Sequence, residues 1–408
     1  MRALASIQEI TELFPIDGAD RIELAQIEGW KVIVRKGLYS VGDMVVYFEV
    51  DSLLPHTDER HDEFVEYTKG KCRVRTIKMR GVYSQGYCMP INQLTDKELH
   101  DSKAICQGTG YKFYKLGTDL TKVLKVEKYE TDKSNLPSTS NGKAIAVNPY
   151  TLAFPSFIPK TDEQRIQKLP ALIRRLQGTE VYVTEKLDGS SMTCYYVPDT
   201  KVDGGVRFGV CSRNLELLDE LPEKSWFEKL VFWVNKKFFK GTHYEGTNQK
   251  DTDFWKMAYK MKLKPAELPK RVLDLLMAKY PKGFAIQGEL VGPKCNSNKH
   301  KLKEHQYRIF SVYNVDTRQY EGWSDINDVS ALLGLNTVPF LESFSIDKGV
   351  DELVEYAKGR SLVGDLAKRE GVVIRTLDGK TSMKAINPDF LIWADKKADK
   401  EEAKNVTD

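Results

Sequence analysis

The feature that most restricts the fold is a pair of strand patterns around residues 185–190. Val181-Tyr182-Val183-Thr184 alternates apolar and β-branched residues and predicts one strand, and Met192-Thr193-Cys194-Tyr195-Tyr196-Val197 predicts the next. Between them lies Glu185-Lys186-Leu187-Asp188-Gly189-Ser190, whose Asp-Gly-Ser is turn chemistry, with Gly free to take a positive φ. Lys186 therefore leaves the end of a strand where a short loop opens. A lysine there becomes a nucleophile when its amine is held neutral, which neighbouring cations or a metal ion can do. The same string also suits a surface lysine in a hairpin, and alone it does not separate the two readings.

The first third reads as β. Trp30-Lys31-Val32-Ile33-Val34-Arg35 alternates, and Val45-Val46-Tyr47-Phe48-Glu49-Val50 follows a Gly-Asp turn. Residues 72–77 and 86–89 continue the pattern. Short, evenly spaced strands with Gly and Asp turns predict a small barrel of the OB type. Arg73, Arg75, Lys78 and Arg80, interleaved with Tyr83 and Tyr87, form a candidate nucleic-acid-binding face. A solvated strand face accounts for the same residues. The formal net charge of the 408-residue chain is only +4, so any polyanion must be held by such local patches.

Residues 132–148 are polar and predict a linker between a domain over 1–131 and a second over 149–394. Thr161-Asp162-Glu163-Gln164 resembles a helix start that would carry Arg165 on a short helix. Helical spacing returns at Phe227, Leu230, Val231 and Val234, and at Phe254, Trp255, Ala258 and Tyr259, all read as core. Strands resume at 284–290 and 307–315. A hairpin is predicted over 370–386, turning at Asp378-Gly379. The charged tail, 395–408, is expected to fray. Six scattered cysteines with no Cys-x-x-Cys spacing signal neither a zinc site nor a disulfide frame. Residues 1–9 contain no apolar signal core and nothing approaches a membrane span. The expectation is a monomer in the cytoplasm or nucleus with no membrane partner.

The strand ends collect Lys186, Asp188, Arg213, Glu289, Glu370 and Lys384. One nucleophile, three carboxylates and further cations suit nucleotidyl transfer through a lysine, since charge on phosphoryl oxygens must be neutralised. Magnesium takes oxygen ligands and keeps much of its water, which suits carboxylates at several strand ends. The ordered strings Lys186-Leu187-Asp188-Gly189, Ser212-Arg213-Asn214, Gly288-Glu289, Phe310-Ser311-Val312-Tyr313-Asn314-Val315, Glu370-Gly371-Val372-Val373 and Met383-Lys384-Ala385-Ile386 resemble the signature set of covalent nucleotidyltransferases. Phe157-Ile158-Pro159-Lys160-Thr161-Asp162-Glu163-Gln164-Arg165 and Gly288-Glu289-Leu290-Val291-Gly292-Pro293 look most like ATP-dependent RNA ligases, as does a barrel placed before the transferase.

The resemblance implies an α+β fold, an N-terminal OB-type barrel followed by a nucleotidyltransferase domain of antiparallel sheets and helices. It implies ATP-dependent joining of RNA 3′-hydroxyl and 5′-phosphate ends at nicked or broken RNA, in RNA repair, with ATP and Mg²⁺ or Mn²⁺. The alternatives are an ATP-dependent DNA ligase, a capping-type guanylyltransferase, or a nucleic-acid-binding protein with an inactive transferase domain. Residue by residue, it implies Lys186 as the site of covalent AMP and Glu185 beside it in the nucleotide pocket. Asp188, Glu289 and Glu370 would hold metal through water. Lys384 would touch the α-phosphate, Arg165 the β- and γ-phosphates, and Arg213 the ribose or the RNA 5′-phosphate end. Tyr313 would stack on adenine, with Phe310 as second candidate. All of these lie after residue 149, so lysyl-AMP formation is expected to need nothing from the N-terminal domain. Two departures stand out. Ile386 replaces a second lysine common in relatives, and Lys294-Cys295-Asn296-Ser297-Asn298 diverges from their pattern.

Overall fold

The structure, a computed structural model, describes residues 2–108, 111–129, 150–219, 252–366 and 368–405. The expected α+β class holds. Near the N-terminus, Ala5–Glu9, Met44–Phe48 and Tyr87–Pro90 form one antiparallel sheet, and Glu12–Pro15, Ile22–Ile27 and Trp30–Arg35 form another. Alternation drives this: Trp30, Val32 and Val34 bury one face of their strand, against Tyr47 and Ala25. Among the described residues these sheets are separately paired, so the barrel is not a ring closed by hydrogen bonds. The strand expected over 72–77 begins only at Thr76 and runs to Met79, while Arg73 makes an isolated bridge to Leu53.

Two sheets follow. The larger has the order Thr151–Ala153, Leu215–Leu217, Val206–Cys211, Ser190–Pro198, Phe284–Val291, Gln306–Asn314 and Gln319–Tyr320, with Asn336–Thr337 also on Gln306–Asn314. Helices Asp253–Lys260, Lys270–Lys279 and Trp323–Leu333 cover it through Trp255, Leu276 and Val329. The smaller has the order Gln164–Arg165, Ser382–Ile386, Gly371–Thr376, Glu180–Lys186 and Phe340–Ser345, backed by helices Pro170–Arg175 and Val350–Tyr356. The hairpin over 370–386 is present, with Gly379 at φ 72°.

Two expectations about the Lys186 region change. Glu180–Lys186 and Ser190–Pro198 do not pair; the chain passes from the smaller sheet to the larger at Leu187-Asp188-Gly189. Gly189 is needed for close approach rather than for a positive φ, because a Cβ there would lie 2.4 Å from the Leu290 carbonyl oxygen. Gln164–Arg165 is a short strand parallel to Met383-Lys384, not part of a helix. Pairing with the Ser382–Ile386 strand overrides the local N-cap pattern.

The tail does not fray at Asp395. One helix runs from Pro388 to Asn405, so no domain boundary falls there. It packs against the N-terminal hairpin strand Thr76–Met79, with Asp395 paired to Arg73 at 2.8 Å and Asp399 to Arg75 at 2.9 Å. The proposed linker and the 227–234 pattern lie outside the described residues. No helix among the described residues is long and apolar enough to cross a membrane.

Candidate active site

Lys186 ends its strand with its ammonium against both oxygens of Glu370, at 2.7 and 2.8 Å. Glu370 precedes the neighbouring strand, whose first residue, Gly371, lies directly opposite Lys186. Burial pulls the Lys186 amine down, but the carboxylates of Glu370, Glu289 and Asp188 outweigh it and hold the ammonium well above its ordinary range. Glu289 comes from the facing sheet. Burial, with Glu370 and Asp188 nearby, pushes its carboxyl up to about 8 despite Lys186.

Asp188 is gripped from a segment the sequence reading left without a role. Lys299 Nζ donates to one Asp188 oxygen at 2.5 Å and Asn296 Nδ2 to the other at 2.5 Å. His300 accepts from the Asp188 backbone N–H at 3.4 Å, while its other ring nitrogen donates to the Val363 carbonyl at 3.1 Å. These partners fix the neutral tautomer with the proton on Nδ1. The divergent segment is left-handed at Lys294, Asn296, Ser297 and Asn298. Positive φ in consecutive non-glycine residues is strain of the kind that collects at functional sites.

Lys384 lies on the same face as Lys186, its ammonium 2.9 Å from Asp162. Burial and the Lys186 charge draw its pKa down, against Asp162. Ile386 shares that face and adds no charge there. Arg165 stands beside Lys384 on the adjoining strand. Its guanidinium is nearly buried, 3.6 Å from Asp51 and over the Trp30 ring, with Nη1 lacking a partner. Asp51 and Trp30 belong to the N-terminal region, which therefore packs directly against Arg165. Arg213 is exposed and close enough to Asp162 to help lower its pKa.

Three assignments need revision. Glu185 alternates with Lys186 and so faces the other way. Its carboxylate takes the Ser361 hydroxyl at 2.5 Å and the Leu362 N–H at 2.8 Å, making it an anchor for that loop rather than a pocket group. Tyr313 is buried among Ile158, Tyr195 and Ala285. Phe310, the extra residue of a bulge opposite Gln287-Gly288, lies against Leu187 beside the nucleophile, and is the better-placed ring. Among the candidate RNA-binding residues, Arg73 and Arg75 are consumed by Asp51, Asp395 and Asp399. Arg80 donates to the Gly18 carbonyl, and Lys78 lies over the Tyr83 ring. The sequence reading also passed over Arg375, which is buried on the Lys186 face and bonded to Glu163 at 3.0 Å. A buried arginine in a strand is itself a signal, since such a group needs a paired carboxylate.

Among the described residues no three His, Cys, Asp or Glu side chains converge closely enough to hold a metal ion directly. The donor set still fits a hydrated hard cation: Asp188, Glu289 and Glu370 are all-oxygen, and Glu289 has no ion-pair partner among the described residues.

A family model described as RNA ligase matches residues 179–386, and one described as an OB-fold domain matches residues 4–91. No curated protein matches significantly. Among solved structures, Naegleria gruberi RNA ligase is similar along nearly the whole chain. A variant of it with AMP and Mn has a TM-score of 0.70 and 29% identity, covering 96% of this chain and 98% of that one. The same ligase with pyrophosphate gives 0.69 and 29% over the same shares. Another variant, with ATP and Mn, gives 0.71, again at 29% identity, 96% and 98%. The N-terminal region is thus an OB-fold domain, and the chain belongs to the RNA ligase family.

Proposed function

We propose that this enzyme is an ATP-dependent ligase that joins RNA 3′-hydroxyl and 5′-phosphate ends through a covalent lysyl-AMP, as a monomer repairing nicked or broken RNA. The observation that carries the reading is Lys186 at a strand end, enclosed by Glu370, Glu289 and Asp188, with Lys384 and Arg165 on adjoining strands. First, the Lys186 amine attacks the α-phosphorus of ATP and pyrophosphate leaves. Next, AMP passes from Lys186 to the RNA 5′-phosphate, forming a 5′–5′ pyrophosphate link. Finally, the 3′-hydroxyl attacks that phosphate and AMP departs.

At rest Lys186 is an ammonium, so it must lose its proton before attack. A hydrated Mg²⁺ or Mn²⁺ held through water by Asp188, Glu289 and Glu370 would supply positive charge that lowers this pKa and steadies the α-phosphate. Lys384 neutralises the α-phosphate, and the unpartnered Nη1 of Arg165 suits the β- and γ-phosphates. Phe310 supports the adenine, and exposed Arg213 meets the ribose or the incoming 5′-phosphate. The test is incubation with α-labelled ATP and a divalent cation, denaturing electrophoresis, then a chase with nicked RNA. The reading requires a labelled protein band that RNA discharges. No band, or a band only with GTP, would reject it.

A further inference from the structure

The candidate RNA-binding arginines are occupied, so the substrate must find its cations elsewhere. A cleft of about 580 Å³ lies between the strand Thr76–Met79 and the helix Pro388–Asn405. Ile77, Ile392 and Trp393 give it apolar wall, and Lys78, Lys368 and Lys396 give it charge. It also contains three carboxylates, and each is engaged. Asp395 takes Arg73, Asp399 takes Arg75 and Lys71, and Asp389 accepts the Tyr83 hydroxyl at 2.8 Å. Lys368 and Lys396, by contrast, have no hydrogen-bond or ion-pair partner among the described residues.

Short chain and side-chain links join the cleft to the active site. Lys368 stands two residues before Glu370, and the Glu370 carbonyl accepts from the N–H of Asn387, which leads into the helix. On the helix, the Trp393 ring packs against Phe390 at 5.6 Å. Lys299, which holds Asp188, lies over that same Phe390 ring at 5.7 Å. Two ammonium groups without partners among the described residues and an indole therefore lie in one cleft, a few residues along the chain from Glu370 and one ring away from Lys299.

We propose that this cleft holds the sugar-phosphate backbone of the RNA substrate beyond the end being joined. Lys368 and Lys396, with Lys78 opposite, contact successive phosphates, and Trp393 packs against the nucleotides between them. The proposal rests on the RNA-joining reading. In it, Arg73 and Arg75 dock the helix that forms one wall of the cleft and do not themselves meet RNA.

The test compares the full-length protein with its Lys368→Ala/Lys396→Ala double variant. Adduct formation with ATP, which needs no RNA, should be unchanged and doubles as the check on folding. Affinity for a nicked RNA duplex should fall, and the slope of log affinity against log salt should flatten by about 1 per lysine removed. Sealing should show a raised KM for RNA at an unchanged kcat, and Lys368→Arg/Lys396→Arg should restore both affinity and slope. An unchanged slope would overturn the proposal while leaving the wild-type adduct, and so the ligase reading, intact. Loss of adduct formation at an unchanged melting temperature would place these lysines at the nucleotide and overturn it as well. So would weakened retention on anionic phospholipid vesicles with RNA affinity untouched.

Discussion

The arginines of the N-terminal domain and the lysines of the transferase domain look alike in the sequence: cations on strands beside aromatic residues. In the fold they end in opposite electrostatic states. Arg73 sits between Asp51 and Asp395, and Arg75 against Asp399, so charge there is balanced pair by pair. Around Lys186 three carboxylates face two ammonium groups, and Glu289 is left without an ion-pair partner, its carboxyl pushed up to about 8. Balanced charge holds elements together. Unbalanced, buried charge stores a demand that only a cation or a proton can meet, and that is where chemistry belongs.

The largest effect that this contrast predicts is at the nucleophile. Lys186→Ala should leave no detectable adduct and no joining of 5′-phosphate RNA. Joining of pre-adenylated RNA should survive in part, because that substrate bypasses the first step. A normal adduct yield from the variant would show that another residue carries AMP.

Arg165 and Asp51 cross the two regions and sharpen the comparison. Arg165→Ala should slow adduct formation by roughly a hundredfold, about the loss of one preorganised phosphate ligand, with a smaller loss in sealing pre-adenylated ends. Asp51→Asn keeps the size of a residue at φ 74°, where Asn is well tolerated, and removes the charge that Arg165 and Arg73 share. It should slow adduct formation by less than Arg165→Ala, roughly tenfold, through misplacement of the guanidinium. Unaltered single-turnover adduct kinetics in Asp51→Asn would mean that the N-terminal domain does not support the first step.

A third prediction uses pH. The Glu289 carboxyl is raised from the usual carboxylate range to about 8, so the fold favours its protonated form. Its stabilising contribution is complete below the unfolded value near 4.5 and is lost as pH rises through 8. Glu289→Gln removes that dependence. Metal-free wild type should lose more thermal stability than the variant between about pH 5 and about pH 8, although the variant forms adduct poorly. Parallel melting-temperature profiles would show that Glu289 is already ionised in the fold.

What was legible in the sequence follows from the range of the forces involved. The strand Trp30–Arg35 and the hairpin closing on Ile386 are readable because alternation and turn chemistry are local. The Lys186 loop was readable as a string, but not as a passage between two sheets, since strand pairing is not local. Arg165 was misplaced on a helix because its strand exists only through pairing with Lys384. Lys299 and His300 carry no signal of their own in the sequence, because they lie 111 and 112 residues from Asp188, just past the divergent segment 294–298. The terminal helix reads locally as a fraying tail because the arginines that dock it are 322 and 324 residues away.

The smallest effects should come from the balanced region, and their pattern is the sharper test. Arg73 is mostly buried, with its guanidinium 3.9 Å from the Tyr129 ring centroid, and serves two carboxylates. Arg73→Ala leaves Asp395 without its ion pair and Asp51 with Arg165 alone, in a confined site, and should cost about 3 kcal/mol. Arg75 and Asp399 are more open, and an exposed pair is worth at most about 1 kcal/mol after screening. Arg75→Ala should therefore shift denaturation only slightly, and the shift should shrink with added salt. Neither Arg75→Ala nor Asp399→Asn should alter adduct formation. The coupling between them, measured by a double-mutant cycle in denaturant, should be positive but below about 1 kcal/mol. In the cleft reading, Arg75→Ala also leaves the salt slope of RNA binding unchanged, because that arginine is already spent on the helix. If Arg75→Ala instead flattens the slope by about 1 while leaving stability untouched, Arg75 meets a phosphate directly and the division between docking arginines and RNA-holding lysines fails.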